Sequence, residues 1–259
     1  MKKRYLFGLY LIGLIVILGI KYIYSRAGFG ELDFILAPTA RWVTFISGIN
    51  FIRQAEVGYI NHSIRFIIAP GCSGVQFMLI TFAALFFPLV HRMNSVERGV
   101  CWLAGSFLFS YPFTVLVNGI RIVLSIYIPV YFDKWNIQAN WLTAERLHTI
   151  IGTVVYVTAL LAIYHLAGLF LRLKRKTPPD IPGIFQSKVV FKMLNRFVPP
   201  ILCYFSIVLI IPFLHNAHKN DLKRFGEYAS LIISVCFVLI FLSCIVYTVR
   251  EHLSRKRKQ

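Results

Sequence analysis

Six long apolar runs, set apart by short segments rich in Lys and Arg, constrain this chain more than anything else in its sequence. They read as roughly 5–24, 73–91, 99–117, 146–171, 198–215 and 228–249. An apolar stretch of about 18 residues or more is long enough to cross the hydrocarbon core of a bilayer as a helix. Hydrophobic residues make up 58% of the 259, against about 45–50% apolar residues in soluble domains. The spacing therefore predicts an all-α, polytopic transmembrane helix bundle. Three units are expected: a membrane domain over 1–172, a basic loop over 173–197 and a C-terminal helical hairpin with a basic tail over 198–259. Met1-Lys2-Lys3-Arg4 before an apolar run mimics a signal peptide. Bulky Lys21-Tyr22-Ile23-Tyr24 offers no small-residue cleavage site, so an uncleaved anchor helix is expected.

The formal charge of +18 raises the question of nucleic acid, but the basic residues cluster beside the spans. With a cytoplasmic N-terminus, segments 1–4, 91–99, 172–197 and 250–259 face inward and hold 17 Lys/Arg against three acids. The remainder holds 11 against seven. Such asymmetry is a topology signal, and it predicts a multi-pass protein of the plasma (inner) membrane with both termini cytoplasmic and lipids, not nucleic acid, as its surroundings.

Two weaker apolar stretches, Leu32 to Ile52 and Ile120 to Phe132, contain Pro38 and Pro129. Either one spanning alone would invert all that follows, so both are expected to be interfacial or re-entrant. Val57 to Ala69 has strand character, with Asn61-His62-Ser63 as the turn of a small extracytoplasmic hairpin leading to Cys72.

Three polar motifs fall at the outward ends of three spans: Pro70-Gly71-Cys72-Ser73-Gly74, Asn118-Gly119-Ile120-Arg121 and Glu145-Arg146-Leu147-His148. A Cys opening a helix feels the partial positive charge there, which favours the nucleophilic thiolate, and Ser73 can serve first-turn amides. The plainer reading is a turn whose Cys only packs. Gly119 could end the helix, leaving carbonyls for Asn118 or Arg121. An Arg at membrane depth needs a partner, and it can polarise a carbonyl. It can also simply snorkel to headgroups. His148 can exchange protons near neutral pH, or merely bond a backbone carbonyl. Arg146, Arg65 and His62 compete for its role. Of the other cysteines, Cys203, Cys236 and Cys244 lie in apolar runs, and Cys101 lies near the cytoplasmic start of a span. No Cys/His spacing suits zinc, and no cofactor is implied. Together a nucleophile, a carbonyl polariser and an acid/base group form an acyl-transfer set.

These motifs, in this order and spacing, resemble the exosortase/archaeosortase family over roughly residues 30–170, including Ala37-Pro38-Thr39. The resemblance implies a membrane cysteine protease or transpeptidase acting on the outer face. Its partners would be exported proteins ending in a short motif, a transmembrane helix and a basic tail, with a lipid or glycan acceptor possible. The family's nucleophile falls on Cys72, its Arg on Arg121 and its third position on His148, with Ser73, Asn118 and Arg146 supporting. The rival readings are a small transporter or an assembly scaffold, and an acyltransferase using Cys72 as a carrier. Span centres rich in Leu, Ile, Val and Phe, without an inverted repeat, count against the transporter.

Overall fold

The computed structural model describes residues 3–134, 141–174, 197–214 and 221–256. Helix α1 (Lys3–Tyr24) is followed by α2 (Phe29–Ser47). Three short strands come next, β1 (Ile52–Gln54), β2 (Gly58–Asn61) and β3 (Phe66–Ile68), then a 3₁₀ turn (Pro70–Cys72). The remaining helices are α3 (Val75–Phe86), α4 (Val96–Lys134), α5 (Ala144–Lys174), α6 over Phe197–Leu214 and α7 (Leu222–Lys256). Among the described residues, six stretches are long and apolar enough to cross a membrane, carried by α1, α3 with its flanking turns, α4, α5, α6 and α7. The protein is an all-α polytopic bundle with one small sheet. Most of the basic loop expected over 173–197 lies outside the described residues.

Helix α3 is the enclosed centre. Its residues from Phe77 to Phe86 are all buried, packing with Leu9 and Ile17 of α1, Val117 of α4, Val157 and Leu160 of α5, Tyr204 of α6 and Ile232 of α7. A helix apolar on every side belongs inside a bundle, whereas the exposed apolar side chains of α1 and α7 suit contact with lipid.

The stretch Ile120 to Phe132 is neither re-entrant nor separate. It continues α4, an unbroken helix of 39 residues, and at about 1.5 Å per residue that is roughly 58 Å, far more than a bilayer core requires. Because α4 begins beside the end of α3, the excess emerges where α3 starts, at the Cys72 end. Helix α2 lies lengthwise along α4, from Tyr111 within the apolar span to Tyr127 on the extension. Its rungs are Tyr111 donating to the Phe34 carbonyl (2.7 Å), Trp42 to the Leu116 carbonyl (3.1 Å) and Tyr127 to the Ser47 carbonyl (3.3 Å). Leu32, Ile35, Leu36, Ala40 and Val43, spaced three and four residues apart, form its buried stripe.

The hairpin expected before Cys72 is a three-stranded antiparallel sheet in the order β1-β2-β3, pairing Ile52 with Ile60 and Ile60 with Ile67. Its turn is the expected one, with Asn61 Oδ1 accepting from the Ile64 amide at 3.0 Å. Tyr59 donates to Asp33 at 2.8 Å, and Asp33 pairs with Arg53 at 3.2 Å, tying the sheet to α2. Burial, and then the Asp33 carboxylate, raises the Tyr59 phenol above its ordinary value.

The last two helices close on the same end. In α6 a π-helical turn (Ser206–Ile210) contains the Ile207 carbonyl, which accepts from Lys21 at 3.2 Å and Gln76 at 3.4 Å. Helix α7 meets the start of α5 through Arg146–Glu227 (2.9 Å) and Arg224–Glu145 (2.6 Å).

Candidate active site

Cys72 reaches its place by a sequence of local constraints. Strand β3 buries Ile68 completely, and the chain then turns at Pro70, with the Cys72 amide donating to the Ala69 carbonyl (2.8 Å) and the Ser73 amide to the Pro70 carbonyl (3.1 Å). Gly74 takes a left-handed conformation (φ 76°) before α3 begins. Only glycine adopts this readily, and a Cβ there would stand 3.0 Å from Asn118 and from the Thr114 methyl. Cys72 therefore precedes the helix in a 3₁₀ turn and does not open it. Ser73 is no cap: its hydroxyl is buried without a partner among the described residues.

Asn118 joins this turn to α4. Fully buried, it donates through Nδ2 to the Cys72 carbonyl at 2.6 Å. The helix does not break at Gly119, so Asn118 has no freed helix carbonyl to serve there. Gly119 instead gives Trp42 room, because a Cβ would lie 2.3 Å from the indole Cδ1. On its other side Asn118 Oδ1 accepts from Arg121 Nη1 (3.1 Å) and from the Tyr156 hydroxyl (2.7 Å), and Arg121 Nη1 also donates to that hydroxyl (3.2 Å).

Arg121 is buried, with both terminal nitrogens held by neighbours and no snorkelling to the surface. It lies over Gly152 of α5, whose missing side chain leaves space 3.4 Å from Nε. Its Nη2 meets His148 Nε2. A guanidinium has no acceptor, so Arg121 is the donor, and His148 in this arrangement is neutral with its proton on Nδ1. The Cys72 thiol also interacts with Arg121. The three candidates thus converge with the guanidinium in the middle, and the contact His148 makes is with Arg121.

The competing residues lie elsewhere. Arg146 turns to Glu227 and the Trp141 carbonyl (2.9 Å each), and His62 and Arg65 are exposed at the sheet's turn. Tyr156 was not foreseen from sequence, where an aromatic in an apolar span reads as packing, and its ring does stack on Phe77 (4.2 Å, 9°). The signal was the ladder His148, Gly152, Tyr156, which a helix of 3.6 residues per turn sets on neighbouring positions of one side.

A family model described as transmembrane exosortase matches residues 1–165, which carry every residue of this cluster. No curated protein and no solved structure matches the chain.

Proposed function

The chain belongs to the transmembrane exosortase family, and from that membership we propose that it is a membrane cysteine peptidase or transpeptidase cleaving a C-terminal sorting signal through an acyl-thioester on Cys72. The observation that carries the reading is the buried Arg121 guanidinium, which meets both the Cys72 thiol and the His148 imidazole.

In this reaction His148 Nε2 lets go of Arg121 Nη2 and takes the thiol proton, and the thiolate attacks the scissile carbonyl. Arg121, already buried and oriented, faces the developing oxyanion, and preorganised donors in a water-poor site are worth far more than in water. The C–N bond breaks, the proton passes from His148 to the leaving amine, and water or an acceptor nucleophile releases the acyl group from sulfur. Asn118 fixes the Cys72 carbonyl and Arg121 with one side chain, and so sets their separation.

A substrate with its own transmembrane helix would share the bilayer with the enzyme and present its motif at the Cys72 end. Under the charge asymmetry of the sequence, that end faces outward at the plasma membrane. The sheet and the α4 extension, with the end of α2 that pairs with it, would then stand outside the bilayer as a rim around the site. A lipid or glycan acceptor is compatible with a site at this level. The test is processing of a precursor carrying such a signal by cells with Cys72→Ala, Arg121→Ala or His148→Ala. Loss of processing in each, with membrane insertion retained, is expected. Wild-type processing in Cys72→Ala would refute the mechanism.

A further inference from the structure

Arg121 has three neighbours able to hold its guanidinium, and they differ in kind. Asn118 sits one turn back on the same helix and moves with it. His148 and Tyr156 sit on α5, one turn either side of Gly152, and grip Nη2 and Nη1 separately. Nε is buried without a partner among the described residues, so the two terminal nitrogens bear the whole orientation. If His148 moves a proton during turnover, its hold on Nη2 is interrupted in each cycle. Tyr156 is then the one anchor outside α4 that need not change. It is also the best fixed, since its ring stacks on Phe77 of α3 and its hydroxyl donates to Asn118 Oδ1 at 2.7 Å while accepting from Arg121.

We propose that Tyr156 is a positioning residue, which holds Arg121 against Cys72 through its hydroxyl while His148 exchanges its proton. The proposal deepens the peptidase reading and rests on it. The hydroxyl, and not the ring, carries the function. The ring accounts for the Phe77 stack and for a cation–π contact of 5.5 Å to Arg121, both of which a phenylalanine keeps.

The experiment compares the full-length protein with Tyr156→Phe, Arg121→Gln and the double variant, all in a background where Cys72 is the sole cysteine. The first readout is the rate of Cys72 alkylation by iodoacetamide at one fixed pH, which needs no peptide substrate. Tyr156→Phe should slow alkylation and Arg121→Gln should slow it at least as much, with the double variant no slower than Arg121→Gln alone, because both act through one guanidinium. The second readout is precursor processing, where Tyr156→Phe should lower kcat roughly 10- to 100-fold with KM held within about twofold. An unchanged alkylation rate in Tyr156→Phe, or additive effects in the double variant, would overturn the proposal. So would a lowered melting temperature with unchanged alkylation, the mark of a purely structural tyrosine. Coupled alkylation shifts in a protein that processes no precursor support the positioning and sink the peptidase reading instead, so the two failures are separable.

Discussion

Replacing Asn118 with Ala strikes the one side chain that touches the Cys72 turn, Arg121 and Tyr156 together. Three bonds are lost, to the Cys72 carbonyl (2.6 Å), from Arg121 Nη1 (3.1 Å) and from the Tyr156 hydroxyl (2.7 Å). Two of the stranded groups can still serve each other, since Arg121 Nη1 already donates to the Tyr156 hydroxyl at 3.2 Å. The Cys72 carbonyl loses its Asn118 donor. A buried polar group left unpaired costs about 1–3 kcal/mol, and a hydrogen bond to a charged group contributes about 1.5–3 kcal/mol. The variant should therefore lose roughly 2–5 kcal/mol of stability. At about 2–4 °C per kcal/mol for a protein of this size, the melting temperature should fall by about 4–20 °C. Asn118→Asp is the informative companion. It keeps an acceptor for Arg121 and Tyr156 but sets an oxygen against the Cys72 carbonyl, so it separates the two halves of the network. The assay is thermal melting of purified protein in one detergent, alongside Cys72 alkylation. A fall of less than about 2 °C in Asn118→Ala, with alkylation unaltered, would refute the claim that this side chain organises the site.

Two glycine substitutions test the close approaches around the same residues. Gly119→Ala drives a methyl to 2.3 Å from Trp42 and should break the Trp42–Leu116 bond, costing about 1–3 kcal/mol by overpacking. Trp42→Ala in the same chain should recover much of the loss, read as coupling in a double-mutant melt. Gly74→Ala combines a left-handed backbone with contacts of 3.0 Å to Asn118 and Thr114. It should cost roughly 2–4 kcal/mol and slow Cys72 alkylation, whereas Gly71→Ala, with open space around its Cβ, should do neither.

What could be read from the chain, and what could not, divides along physical lines. The spans were legible because a bilayer imposes a length and a polarity that composition records directly. The turn at Asn61 was legible because its residues are local turn formers. The continuity of α4 was not, because Gly119, Pro112 and Pro129 argue locally for breaks. Burial against α2 and α3 overrides them, and Gly119 proves to be space for Trp42. The position of Cys72 relative to α3 was also misjudged. Nothing in Cys-Ser-Gly declares that Gly74 turns left-handed and leaves the thiol one turn short of the helix. Arg146 and His148 compete for one role in sequence, and only the helix phase of α5 decides that Arg146 faces Glu227 while His148 faces Arg121. Tyr156 lay hidden because a hydroxyl in a greasy span has no local signature, and its worth appears only with its partners in view.

The central claim is that sulfur of residue 72 carries the cleaved chain as a covalent ester. Acid quenching of the enzyme during turnover of a precursor, followed by mass spectrometry of the peptide containing Cys72, measures this directly. The account predicts a transient adduct on Cys72 that hydroxylamine removes and that is absent from Cys72→Ser. Cleavage that proceeds with Cys72 unmodified throughout, or an adduct formed on another residue, would contradict it.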